Sequence, residues 1–359
     1  MADGYDDMWK RVEEAAKKDL PKTRIELLQD IAGKAARERN YGQMLKAEWQ
    51  SMMTWSTISR DSLRPQISRM ELKAGEYAKT DPALAAVCYA ALSRTCEENR
   101  WLLDDYEALK KEYAAKAMAN PALLAQKKAD AYVPFLVKGR DAAVFGDDLL
   151  SLLGFSIGAY KEMHDYYATT PNRTATVLTA LRVAEVEAMV DGDIPGLYKD
   201  DSHYAASLDS LISLYGDLPA CAEVAMERYY LMKRSDAPAK DLVAYANGIA
   251  DRWGSWPRVE EMRNEVKRLE NPWYNITTEA QAVMSGTPFT ASIEARNVGT
   301  LTFTLTRLAV SGTEYGDPND AKTYKRLKAK LAKSAAQTVT RSYAGRAAYD
   351  TAEDSVVLG

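Results

Sequence analysis

"FTASIEARNVGTLTFTLTRLAV" (residues 289–310) alternates apolar and polar residues on both sides of a break. Phe289, Ala291, Ile293 and Ala295 fall on one side of an extended chain, and Thr290, Ser292, Glu294 and Arg296 on the other. Beyond Asn297-Val298-Gly299-Thr300, Leu301, Phe303 and Leu305 alternate with Thr302, Thr304 and Thr306. Period two around a turn-forming break predicts a β-hairpin. Strands are predicted at 273–278, 281–284, 289–296, 301–309, 337–343 and 354–358. "DAKTYKRLKAKLAK" (320–333) predicts an amphipathic helix with Tyr324, Leu327 and Leu331 inward. Residues 271–359 therefore read as a small antiparallel β-sandwich. Its final "EDSVVLG" stops as Val356-Val357-Leu358 begins a strand, the mark of an excised fragment.

Residues 1–270 carry a different rhythm. Ile25, Leu28, Ile31, Ala32 and Ala35 share one helical face; after "RNYG", Leu45, Trp49, Met52 and Met53 share another. So short a link implies an antiparallel pair. Pro21, Pro82, Pro121, Pro171, Pro219 and Pro257 each stand where a new helix should open, a position where the missing N–H costs no hydrogen bond. "LISLYGDLPACAE" (211–223) aligns with "GIADRWGSWPRVEE" (248–261) at an offset of 38, matching Tyr215 to Trp253, Gly216 to Gly254, Pro219 to Pro257 and Glu223 to Glu261. An aromatic closing one helix, a glycine in a left-handed cap and a proline opening the next make a helix–turn–helix repeat. The fold class predicted is mainly α with a C-terminal β domain, a tetratricopeptide-like α–α superhelical array followed by the sandwich. Pro272 ends the helical part. Pro272, Trp273 and Tyr274 form the interdomain junction, expected to be buried between the last helix and the β domain because about three residues separate helix from strand.

Composition narrows the function. The chain has 359 residues, 47% hydrophobic and 27% charged, with a net charge of −4. Residues 1–270 hold 37 basic and 43 acidic side chains and residues 271–359 hold 10 and 8, so neither part has the basic surplus of a nucleic-acid binder. Cys88, Cys96 and Cys221 make no disulfide framework. No run is long and apolar enough for a membrane span. The start, "MADGYDDMWK", lacks the layout of a signal peptide, as in a cytosolic protein or one whose signal has been removed.

No catalytic, cofactor-binding or metal-binding residues are assigned. His164, in "KEMHDYY", and His203 lack a nucleophile elbow and metal-ligand spacing. A calcium loop starting at "DGD" (191–193) would end at Ser202 rather than a glutamate, so a polar turn is the better reading. The run Lys322–Lys333, six cations in twelve residues, reads as a solvated helix face with a partner or membrane surface as the alternative. The 21 tyrosines suit either inter-helix packing or a concave binding surface.

Two stretches resemble a known family. "LENPWYNITTEAQAVMSGTPFTASIEARNVGTLTFTLTRL" (269–308) resembles the junction into the first macroglobulin-like domain of large bacterial alpha-2-macroglobulin-like proteins. "LPKTRIELLQDIAGKAARERNYGQMLKA" (20–47) is similar to the start of the helical region before that domain in one branch of the family. The resemblance implies a non-catalytic recognition and spacer region of a cell-envelope protein that traps proteases. It also implies protein or peptide partners, proteases among them through the full-length protein, and membrane anchoring through a removed N-terminal lipoprotein signal. The family's Cys-Gly-Glu-Gln thioester is not carried over: "CAEV" (221–224) has Val224 where the motif needs glutamine. The alternatives are a stand-alone tetratricopeptide-like scaffold binding a peptide, and a polysaccharide-lyase-type enzyme using Tyr166, His164 and Arg173.

Overall fold

Proline and short polar caps set where the helices begin. In the computed structural model, which describes residues 4–190, 198–278, 287–308, 310, 316–317, 319–332, 336–346 and 348–359, α2 (Pro21–Glu38), α5 (Pro82–Glu98) and α7 (Pro121–Ala125) each start on a proline. Pro171 and Pro219 stand two residues ahead of α10 (Arg173–Ala188) and α12 (Cys221–Arg234), and Pro257 opens a 3-10 turn leading into α14 (Glu260–Glu270). Asn40 caps α3 (Tyr41–Ile58) by accepting the Gln43 N–H at 3.2 Å, and Asp81 caps α5 by accepting the Leu84 N–H at 3.1 Å. The remaining helices are α1 (Asp6–Lys17), α4 (Leu63–Thr80), α6 (Tyr106–Ala117), α8 (Leu149–Ile157), α9 (Tyr160–Tyr167), α11 (Asp201–Tyr215), α13 (Ala239–Trp253) and α15 (Ala321–Ala329).

By packing the chain divides into two compact units, Met1–Cys221 and Ala222–Gly359. In the first, sequential helices pack as neighbours: α2 on α3, α4 on α5, α5 on α6, α9 on α10 and α10 on α11. Ile25, Leu28, Ile31 and Ala35 of α2 are buried, as are Leu45 and Met52 of α3, the faces the periodicity marks. The change from helix to strand after Glu270 lies inside the second unit, so α13 and α14 group with the strands. No strand occurs among the described residues of 22–60 or 204–268.

Gly216 and Gly254 depart from expectation. Both keep right-handed backbone, with φ of −66° and −59°, rather than a left-handed cap. At Gly254 the need is space, because a Cβ there would lie 2.5 Å from the Ala250 carbonyl oxygen.

In the second unit, β1 (Trp273–Thr278), β2 (Phe289–Arg296) and β5 (Thr351–Leu358) form one antiparallel sheet in the order β1-β2-β5. A second sheet pairs β3 (Thr300–Leu305) with β4 (Gln337–Ser342). Ala291, Ile293 and Ala295 meet Phe303, Tyr343, Ala352, Val356 and Leu358 in a single core. β1 and β2 have the predicted limits and β2 the predicted inward face, but β3 ends at Leu305 rather than 309, β5 begins at Thr351 rather than 354, and the predicted hairpin does not form. β2 and β3 lie in different sheets, and Asn297–Gly299 carries the chain from one to the other as an arch. The physical reason is that alternation specifies which side chains share a core and says nothing about which backbone fills the hydrogen bonds. Asn297, at φ +55°, makes the turn, and Gly299 O accepts the Tyr343 N–H at 2.9 Å. Within 320–333 only Leu327 of the three predicted inward residues is buried; Tyr324 and Leu331 are exposed, and the Lys328 ammonium lies 5.9 Å from the Tyr324 ring centre. The strand predicted at 281–284, the "DGD" turn at 191–193 and Lys333 lie outside the described residues.

α12 and α14 are joined by a charged cluster. The Glu265 carboxylate accepts from Tyr229 Oη at 3.0 Å, Lys233 Nζ at 2.8 Å and Arg268 Nη2 at 2.9 Å. Burial opposes its ionisation, but the three donors outweigh burial and hold its pKa down to about 2. A carboxylate depressed in the folded state stabilises fully above its unfolded pKa of about 4.3, and that stability is lost as pH falls towards 2. Urea midpoints measured between pH 6 and pH 2.5 should therefore decline in the native chain. Glu265→Gln should be less stable at pH 6 and show a shallower decline; an unchanged slope would refute the assignment.

Candidate recognition sites

In the first unit α3, α5 and α8 frame a groove of about 490 Å³. Val87, Ala90 and Ala91 of α5, Leu152 and Leu153 of α8 and Trp49 of α3 give it an apolar floor, and Lys46, Arg94 and Glu98 line it as well. Trp49 is oriented by its indole N–H, which donates to Thr95 Oγ1 at 3.2 Å. The segment Pro134–Val137 closes one side. Its approach depends on Gly42, where a Cβ would lie 1.9 Å from the Val133 carbonyl oxygen. Tyr132 stacks on Tyr41 at 6.2 Å, and Lys138 ties the segment to Asp130 at 2.9 Å and Asp147 at 3.4 Å.

α8 is positioned by Asp148, whose carboxylate accepts the Ser151 N–H at 2.8 Å and the Tyr167 hydroxyl at 2.6 Å. Burial pushes the Asp148 carboxyl above its ordinary range, against the pull of those two donors. In the groove Arg94 pairs with Glu98 and donates to the Ser156 carbonyl at 3.3 Å, while the Lys46 ammonium sits 4.3 Å over the Trp9 ring. An apolar floor with a few fixed polar groups is suited to holding side chains of a peptide.

His164, Tyr166 and Arg173 each have a partner of their own. His164 Nδ1 lies 3.3 Å from Thr179 Oγ1, and Arg173 is held by Asp217 in a two-pronged pair at 2.5 and 3.0 Å. The Tyr166 ring packs edge-on against Tyr167, and His203 is exposed at the start of α11. Cys88, Cys96 and Cys221 are free thiols, all buried; burial raises the Cys96 thiol to about 11. Tyr113, Tyr204 and Tyr229 are fully buried, so these tyrosines pack between helices.

The junction residues are a correction. Pro272 is exposed, and Trp273 and Tyr274 are 41% and 57% exposed rather than buried. β1 is an edge strand that gives no buried residue to the core; Tyr274 and Ile276 stand opposite Ala295 and Ile293 on the core-facing side yet remain uncovered. Polar capping, which sequence reasoning missed, ties the helix to the sheet instead. Asn297 Nδ2 donates to the carbonyl oxygens of Leu269 at 2.6 Å and Glu270 at 3.0 Å, and Arg296 Nη2 donates to that of Arg268 at 3.1 Å. These are terminal carbonyls of α14, which have no partner within the helix. Asn297 Oδ1 also accepts the Tyr349 N–H at 3.0 Å. The available signal was an asparagine, tolerant of positive φ, at the break between two strands.

No family model, curated protein or solved structure matches the chain.

Asn297→Ala should destabilise the second unit by about 2–4 kcal/mol, since it removes three hydrogen bonds and replaces a residue tolerant of positive φ with one that is not. Asn297→Gly keeps the backbone freedom and should lose about 1 kcal/mol less. Equal and negligible losses in urea unfolding would show that the cap carries no stability.

Proposed function

We propose that this chain is the non-catalytic recognition and spacer region of a bacterial cell-envelope protein of the alpha-2-macroglobulin-like kind. Its envelope location and anchoring through a lipoprotein signal follow from the resemblance of residues 20–47 and 269–308. The observation that carries the spacer role is the capped joint, in which Arg296 and Asn297 hold the end of α14 against the sheet. A chain whose last helix is fastened to its first β domain sets a direction for whatever follows. Recognition falls to the helical unit, where the groove between α3, α5 and α8 offers an apolar floor for a protein or peptide partner. That groove favours the second reading, a self-contained peptide-binding scaffold, to the same degree.

Fractionation separates the two. Antibodies raised against the chain should detect, in the native cell, an envelope-associated band far larger than 39.9 kDa. A soluble band near 39.9 kDa would leave only the scaffold. The chain alone should leave endopeptidases active and incorporate no methylamine, because methylamine is taken up only at the acyl carbonyl of a thioester, and Cys221, a fully buried thiol, has no glutamine at the motif position. Covalent incorporation of methylamine with release of a thiol would overturn the non-catalytic reading.

A further inference from the structure

We infer that the helix–strand joint of the second unit carries a binding site for the carboxylate of an acidic peptide. A cavity of about 610 Å³ lies there, lined by Arg268, Pro272, Trp273, Glu294, Arg296 and Thr351 among others. Its floor is one row of the three-stranded sheet: Trp273 pairs with Arg296, and Arg296 with Thr351. These three stand on the face opposite the core, because their neighbour Ala295 points inward. The last turn of α14 supplies the wall through Arg268.

One of the two arginines in this cavity has no ion-pair partner among the described residues. Arg268 is engaged by Glu265 at 2.9 and 3.3 Å. Arg296 donates only to the Arg268 carbonyl, its Nε is buried without an acceptor, and no carboxylate lies within ion-pair distance of it among the described residues. Its guanidinium sits 5.6 Å from the centre of the Trp273 ring. Burial and the nearby Arg268 cation both lower the Arg296 pKa, the direction expected of a cation held without a counter-ion. A planar carboxylate suits a guanidinium fork, and the exposed indole offers an apolar surface to the side chain that carries it. Glu294 shares the cavity, its Oε2 accepting from Asn275 Nδ2 at 3.1 Å. That negative charge favours a monoanion over a phosphate dianion. The inference rests on the recognition role proposed above and names the chemistry of one partner; its failure would leave the fractionation result untouched.

The test uses the full chain and an end-blocked hexapeptide containing one glutamate, with the glutamine hexapeptide, inorganic phosphate and phosphatidylserine vesicles as parallel probes. Binding is read from the Trp273 indole resonance, assigned with Trp273→Phe. The glutamate peptide should bind about tenfold more tightly than the glutamine peptide, and Arg296→Gln should remove that preference. Glu294→Gln should tighten glutamate binding several-fold, a gain that a misfolded variant cannot mimic. Equal binding of the two peptides, no gain on Glu294→Gln, or binding of phosphate or vesicles alone would each overturn the assignment.

Discussion

The amide of Asn297 joins two segments that are distant from it in sequence, and its backbone sets the path of the chain between them. Its nitrogen satisfies the last carbonyls of α14, its oxygen accepts the Tyr349 N–H before β5, and its backbone, at positive φ, turns the chain from one sheet to the other. Each contact depends on the others. Were the chain to continue β2 directly into a hairpin, the side chain would not face the helix end, and α14 would close on unsatisfied carbonyls. A polar residue at a break in two apolar alternations thus decides the sheet topology and the attachment of helix to sheet together.

This explains what the sequence could and could not reveal. The limits of β1 and β2 and the inward set Ala291, Ile293 and Ala295 were legible because period two is a local property. The partner of β2 was not, because an arch and a hairpin bury the same side chains. Trp273 and Tyr274 misled for a related reason: aromatic residues beside a short linker suggest burial, but an edge strand leaves both faces reachable by water. In the helical unit, proline positions and 3.6-residue periodicity revealed most helices. The groove was hidden because its shape depends on Gly42 allowing Val133 to approach, a contact between residues 91 positions apart.

The two candidate surfaces differ in kind. The groove of the first unit is apolar, and its arginine already has a carboxylate in Glu98. The cavity at the joint holds two arginines and a glutamate beside a tryptophan. One is suited to the side chains of an extended segment, the other to a charge. Under the proposed recognition role, the two surfaces would read an apolar stretch and an acid separately.

The spacer role requires the joint between α14 and the sheet to be fixed. Spin labels at Lys267 on α14 and Thr290 on β2, both exposed positions, report it directly by pulsed electron–electron resonance. Thr290 lies at the far end of β2 from Asn297, so any hinge motion is magnified there. A single narrow distance distribution is predicted in solution. A broad or two-peaked distribution would show that α14 swings freely from the sheet and that the Asn297 cap does not fix the joint.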